Sequence, residues 1–426
     1  MNIMVHPIMR SLGRAIFLWC FLISTVSCAF RDSLPESQPA VTDSAREPQP
    51  SPVSATGHLT TPTVPTPTST ISFTSTSTFT RTSMPPIATP IPDSRFLALV
   101  SKQDGQTAIQ IADVVGAGLT LLASDNKDAF SPQWSPDGLR LAYLSGPNRL
   151  GPLEIVVLSS DGKQAAHPVK FNQLWSFDWS PDSSQIAISG VKEPNGRWDV
   201  HIVDIEAEVV SNLLPDYEYE LFDLAWSLDG AHIAVATSLE KKTGSPDDIF
   251  ITRHILLLNL KAASKVILDR GLPVVGQLHW SAPGDYLLAN ADPLIGGGPY
   301  RVPTDGSSSQ PIDVGGTSGQ NVPITNSALS PDGRFILYVI PKTSSTSGDE
   351  LYIASTDGKA PKLLSPDGIR VLFPAWSPDS QQVAFMAVAA GAEAATSGEL
   401  FVVKVDGSQL RSVASDMALT TVSWRP

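Results

Sequence analysis

One five-residue unit constrains this chain more than any other feature. It reads Trp134-Ser135-Pro136-Asp137-Gly138, followed by the apolar run Leu141-Ala142-Tyr143-Leu144. It returns as Trp179-Ser180-Pro181-Asp182-Ser183 before Ile186-Ala187-Ile188, as Trp226-Ser227-Leu228-Asp229-Gly230 before Ile233-Ala234-Val235, and as Trp376-Ser377-Pro378-Asp379-Ser380. Trp280-Ser281-Ala282-Pro283-Gly284 and Leu329-Ser330-Pro331-Asp332-Gly333 are weaker copies. The Trp or Leu positions lie 45, 47, 54, 49 and 47 residues apart, and 48 more reach Trp424. A repeat in the forties made only of strand-like segments is the pattern of radial β-sheet blades.

The unit has a local chemical logic. Proline presets φ for the first corner of a type I turn, aspartate suits the second, and glycine relieves the residue that must turn back. Ser-Pro-Asp-Gly therefore joins two strands as a hairpin, and Ser183 and Ser380 in the glycine position should cost about 1 kcal/mol or less each. A third strand follows in each unit, such as Leu153–Leu158 or Leu400–Lys404, and then a short fourth, such as Lys362-Leu363-Leu364. The first unit has its turn at Pro92-Asp93-Ser94 and strands over 95–123 but no strand before the turn. Thr420–Pro426 matches that missing strand and stops there. The expectation is an all-β, seven-bladed β-propeller of four-stranded antiparallel blades. The C-terminal strand, at about 418–425, would pair with the N-terminal blade and leave no open break.

These hairpins resemble the propeller repeats of TolB and of prolyl oligopeptidase-type peptidases, over roughly residues 92–426. The resemblance implies the fold and little about function. TolB carries a small α/β domain ahead of a six-bladed ring, and the peptidases carry an α/β-hydrolase domain. This chain has no Gly-x-Ser-x-Gly nucleophile elbow, so neither family's functional residues carry over.

The segment before the repeats is of a different kind. Arg10 and Arg14 precede the mostly apolar stretch Ala15–Val26 and then Ser27-Cys28, which reads as a secretory signal. Twelve helical residues span about 18 Å, too short for a bilayer core of about 30 Å. Thr25-Val26-Ser27-Cys28 resembles a bacterial lipobox, with Thr25 where leucine is usual; the resemblance implies acylation of Cys28 and a lipid-anchored, exported protein, at the cell surface or in the periplasm. From Ala29 to Pro92 there is no apolar periodicity, and 24 of the 33 residues from Thr60 to Pro92 are Ser, Thr or Pro. Such a stretch has too little apolar surface to offset its ordering entropy, so 29–92 is expected to be a disordered tether.

Composition excludes several function classes. The two cysteines, Cys20 and Cys28, both lie in the leader, so the repeat region has neither disulfides nor thiolate metal sites. A net charge of −13 without any Lys/Arg-rich run argues against nucleic acid as a partner. The seven histidines, at 6, 58, 167, 201, 232, 254 and 279, have no metal-ligand spacing, and no cofactor is expected. The repeated Asp and Trp residues recur because the turn and the blade recur.

Candidate binding residues come from what does not repeat. The segments 145–153, 189–198, 238–253, 290–299, 340–349 and 387–398 are long, irregular and expected on one face, opposite the short repeated turns. There Asp216, Tyr217, Tyr219 and Phe222, within Asp216–Asp223, combine aromatic and acidic groups, and Trp175 and Phe373 each sit just before an innermost strand. Glu240, Asp247 and Asp248 form a candidate calcium loop, opposed by Lys241 and Lys242. The function expected is that of a monomeric binding or scaffold protein, not an enzyme, presenting this face to a protein, peptide or glycan. The rival is a propeller lyase or glycosidase, which would need two carboxylates held about 5–10 Å apart.

Overall fold

The computed structural model describes residues 95–426, apart from 104–105, 117, 125–126, 150, 164, 216, 218, 243–248, 271–273, 292–296, 315–323, 343–347 and 393–396. The leader with Cys28, the tether, Asp216, Asp247 and Asp248 therefore lie outside the described residues. Every element among the described residues is a strand.

Five four-stranded antiparallel sheets follow one another along the chain. Sheet I is Asp128–Trp134, Arg140–Gly146, Leu153–Ser159 and Ala165–Phe171; sheet II is Gln173–Trp179, Gln185–Val191, Asp199–Asp204 and Val210–Asn212. Sheet III comprises Leu221–Trp226, His232–Lys242, Ile249–Asn259 and Ser264–Arg270. Sheet IV comprises Val274–Trp280, Tyr286–Ala291, Pro299–Pro303 and Gln310–Pro311, and sheet V Thr325–Leu329, Phe335–Pro341, Asp349–Ser355 and Lys362–Leu363. The sixth sheet has eight strands. One half is Ile369–Trp376, Gln382–Ala389, Ser397–Lys404 and Arg411–Ala418; the other is Ser423–Trp424 with Phe96–Gln103, Gln106–Asp113 and Gly118–Ser124. The halves meet through a single pair, Ser101 with Met417. The chain ends pair directly, Leu97 with Trp424 and Ala98 with Ser423.

The second strand of each unit reads as a largely continuous apolar run because both of its faces are buried, and the third strands of sheets I and II do the same. Arg140–Gly146 is buried at six of its seven positions. Leu141 and Tyr143 join a core cluster with Ala98, Val100 and Ile109, whereas Ala142 and Leu144 join Trp179, Ile186 and Ile188 on the other side. The alternation of side chains along a strand thus feeds two cores at once. Trp424 packs in a cluster with Leu97, Met386 and Val402, so the last residues are core residues.

The repeated turns close as their composition dictates. The amide of Gly138 bonds to Ser135 O at 2.8 Å, and Gly138 has φ of 66°. The Ser135 hydroxyl donates to Asp137 at 2.6 Å and accepts from the Arg140 amide at 3.0 Å, so the invariant-looking serine locks the hairpin from inside. Ser183 and Ser380 do occupy the left-handed region, with φ of 62° and 59°. Each is buried, and each hydroxyl accepts a hydrogen bond from the preceding turn: Asp137 N to Ser183 at 3.0 Å, Asp332 N to Ser380 at 3.1 Å. The strain bears a contact that glycine cannot make.

One expected loop is largely strand. Within 238–253, Ser238 to Lys242 pair with Arg253 to Ile249, extending the central hairpin of sheet III.

Candidate functional site

The first strands of the sheets converge on one cavity. Its volume is about 370 Å³, and every first strand of sheets I to V, together with Phe373–Ala375 and Thr421–Val422, contributes to its wall. The contributing side chains sit where the strand slips register against its neighbour. Shifts occur between Phe130 and Gln133, Leu174 and Ser176, Leu221 and Leu224, Gly276 and His279, Thr325 and Ala328, and Leu372 and Ala375. A β-bulge leaves an extra residue unpaired and re-aims its side chain. At four of them a non-glycine residue has positive φ: Ser131 at 49°, Gln277 at 56°, Asn326 at 52° and Phe373 at 50°.

The wall is chemically uneven around its circumference. On one side stand Asp178 and Asp223. Asp178 accepts from Gln133 Nε2 at 2.8 Å, Trp179 N at 3.0 Å and Trp226 N at 2.8 Å, thereby tying three successive sheets together. Asp223 accepts from the Ser176 hydroxyl at 2.7 Å and Leu278 N at 2.9 Å. Burial pushes the Asp178 carboxyl up to about 6 despite these donors, and the charge of Asp223 adds to the rise. His279 is held below the usual imidazole range by burial, partly countered by Asp223. Next to them runs an amide chain: Gln277 donates to Asn326 at 2.6 Å, Asn290 donates to Gln277 at 2.6 Å, and Ser327 donates to Asn290. Phe373 supplies an aromatic side chain to the same wall.

The repeated tryptophans tie successive sheets to one another. The indole N–H donates to the carbonyl of the residue that precedes the equivalent Trp or Leu in the previous sheet: Trp179 to Gln133, Trp280 to Ala225, Trp376 to Ala328 and Trp424 to Ala375, at 3.0–3.2 Å. In Trp134 and Trp226 the buried indole nitrogen has no such bond. There the backbone amide of the Trp instead finds a side chain of the previous sheet, Ser423 at 3.0 Å and Asp178 at 2.8 Å.

The sequence-derived candidates scatter over this geometry. Phe373 lines the cavity. Trp175 is the extra residue of its bulge and stacks on Trp198, with ring centroids 6.3 Å apart, away from the cavity wall. Beside it Arg149 Nη2 donates to Trp175 O at 3.4 Å while Nη1 is buried without a partner, and burial holds this guanidinium down to about 10. Tyr217 is half-buried in the core between sheets II and III, bridges to Trp198 and shares a hydrogen bond of 3.2 Å with Thr237; Tyr219 meets its ring edge-on. Phe222 is a buried member of the core between sheets III and IV. Trp175, Tyr217 and Tyr219 thus form one aromatic group and Phe373 belongs to another. Sequence reasoning missed Asp178, Gln277, His279 and Asn326; Asp223 ends the acidic and aromatic segment it singled out, and lines the cavity. Among the described residues no group of three or more His, Cys, Asp or Glu is placed to hold a metal ion.

Comparison with solved structures defines the class: the fold is that of a β-propeller. The chain superposes on the propeller domain of the Trilobed protease from Pyrococcus furiosus, described as having an open velcro topology, with TM-score 0.56, 14% identity, and coverage of 75% of this chain and 94% of that one. It superposes on an oligogalacturonate lyase from Vibrio parahaemolyticus with TM-score 0.53, 12% identity, and coverage of 75% and 84%. Its repeat is TolB-like: 49 residues are 45% identical to the Tol-Pal system protein TolB of Methylobacillus flagellatus. That stretch is 12% of this chain and 11% of the relative's length. No family model matches the chain.

Proposed function

We propose that the protein is an exported, lipid-anchored, monomeric seven-bladed propeller that binds a protein, peptide or glycan at its cavity and loop face and carries out no catalysis. The eight-stranded sheet is read as two blades bridged by the lone Ser101–Met417 pair, and the pairing of Trp424 with Leu97 as the closure of the ring. Seven core clusters, each shared by two neighbouring units, support that count. Acylated Cys28 would hold it at a membrane, and the Ser/Thr/Pro tether would set its reach.

The observation that carries binding over turnover is the way the two cavity carboxylates are engaged. Asp178 and Asp223 accept five hydrogen bonds between them from donors in the fold. Those donors hold both carboxylates rigidly between sheets, which suits a fixed acceptor for a ligand better than a general acid or base that must pass a proton to and from substrate. The rival reading, a lyase or glycosidase, draws on the likeness to an oligogalacturonate lyase, which at 12% identity is a likeness of fold.

The test pairs two assays on the full chain. A peptide and glycan array should give saturable binding that weakens at least tenfold in Asn326→Ala or Phe373→Leu, with no turnover of uronate or neutral oligosaccharides. Turnover abolished by Asp223→Asn alone, in a protein that stays folded, would replace this reading with the enzymatic one. Fatty-acid labelling lost in Cys28→Ser would establish the anchor; labelling retained in that variant would remove it.

A further inference from the structure

The cavity wall carries an electrostatic imbalance. Its titratable side chains are Asp178, Asp223 and His279, and its lining includes no lysine or arginine. A carboxylate drawn partly out of water without a counter-charge is costly, and here two half-buried ones share one side of the wall. Ionised, each carboxylate offers about four acceptor positions, of which the fold uses three on Asp178 and two on Asp223. Acceptor capacity is therefore left over on two residues that line the cavity.

Two further features face the same space. The His279 ring lines the cavity and has no hydrogen-bond partner among the described residues, and burial holds its pKa below the usual imidazole range, which favours the neutral ring with its acceptor nitrogen. Phe373 holds a bulky aromatic in a left-handed backbone conformation, with φ of 50°, at the bulge that aims it toward the cavity. Such a conformation is a genuine outlier for a bulky residue. An aromatic ring attracts a desolvated cation by its quadrupole.

We propose that this cavity is a receptor for an organic cation, an alkyl ammonium or alkyl guanidinium group, held by Asp223 and Asp178 with His279 as a further acceptor and Phe373 against its alkyl or cationic face. The inference rests on the binding reading above and names its ligand class. The negative field of the chain, at −13 overall, would draw such a ligand in. The cation would favour the ionised form of Asp178, whose carboxyl burial holds at about 6, so binding should expel a proton near that pH and tighten as the pH rises through it.

The shared chemistry has two sources, a free small amine or the side chain of a basic peptide. Agmatine and the blocked tripeptide acetyl-Gly-Arg-Gly-amide separate them, with acetyl-Gly-Glu-Gly-amide as the anionic control. Calorimetry on the full chain, in buffers of differing ionisation heat, should detect saturable binding of at least one cationic probe and proton release near pH 6. Binding of agmatine alone assigns a free amine; binding of the tripeptide assigns a side chain. Phe373→Leu should weaken the complex about fivefold and Asp223→Asn tenfold or more, each in protein whose melting is checked first. Absence of binding by both cationic probes at millimolar concentration overturns the proposal, as does affinity unchanged in both variants. A ligand from the array that still binds, and responds to Trp175→Ala instead, would leave the binding reading standing while this one falls.

Discussion

The two ends of the repeat unit behave oppositely. At the turns the same atoms recur: in five of the units a serine hydroxyl donates to the aspartate two residues on, at 2.6–2.7 Å. Three residues before each Trp or Leu, mostly at bulges, the equivalent positions hold Ser131, Ser176, Asp223, Gln277, Asn326, Phe373 and Thr421. Turn geometry admits few residues, whereas a side chain facing a cavity is constrained only by what fills it. Repetition therefore marks what holds the propeller together, and divergence marks where it can be specific. Breaking each region in turn tests that division.

The largest effect should come from the C-terminal strand, proposed above as the closure. Deleting Thr420–Pro426 removes the buried Trp424, its bond to Ala375, the Ser423 hydroxyl that receives Trp134 N, and the Arg425 amide bond to Phe96. Loss of a buried Trp side chain alone costs about 3–5 kcal/mol. Chemical denaturation should show at least that loss, recovered in part by a synthetic peptide spanning 418–426. A loss under about 1 kcal/mol, the scale of a surface change, would mean that the terminus is not the closure.

This contrast also explains how much was legible in advance. Turn chemistry is local, so Ser-Pro-Asp-Gly and its spacing announced the strands, the units and the pairing of the two ends. The cavity was not announced, because the direction of Gln277 or Asn326 depends on a register slip that reverses which side chains face inward. No residue type marks such a slip. The one available signal was positional: aligning the units on Trp places Asp223, Gln277, Asn326 and Phe373 in a single column. Proximity to aromatic and acidic neighbours pointed instead to Tyr217 and Phe222, which the fold places in its cores.

The second effect is a pH dependence. Asp178 has its folded pKa raised to about 6, above the usual carboxylate range, mainly by burial. A raised carboxyl pKa gives stability that is fully present below the unfolded value and lost as pH rises through the folded one, here between about 4 and 6. The shift corresponds to about 2–3 kcal/mol. Asp349, raised by burial, acts in the same direction, while Asp229, Asp332 and Asp406, held low by their turn hydrogen bonds, lose stability only below about 4. His201 and His279, lowered by burial, act in the opposite direction below about 6.5, so the check is a difference: the denaturation midpoint of Asp178→Asn should gain on wild type as pH rises from 4 to 7, because the variant lacks the Asp178 part of the slope. An unchanged slope in the variant would show that Asp178 is not charged in the way described.

The tryptophans offer a smaller, internally controlled effect. Trp179→Phe and Trp226→Phe remove similar volume, but only the first breaks an indole bond and leaves Gln133 O without it; the second deletes a buried orphan donor. Denaturation should find Trp179→Phe worse by about 1–2 kcal/mol. Equal losses would mean that the indole bond contributes nothing.

The smallest effect concerns the serines that stand in for glycine. In Ser183 the left-handed backbone costs up to about 1 kcal/mol relative to glycine, and the bond from Asp137 N returns a similar amount. Ser183→Gly relieves the strain and loses the bond, so its stability should lie within about 0.5 kcal/mol of wild type. Ser183→Ala keeps the strain and loses the bond, and should be lower by about 1 kcal/mol. The order of the two variants is the informative result. If alanine matches serine, the hydroxyl contributes nothing between blades, and the turn face would be held by each hairpin separately rather than by contacts from one unit to the next.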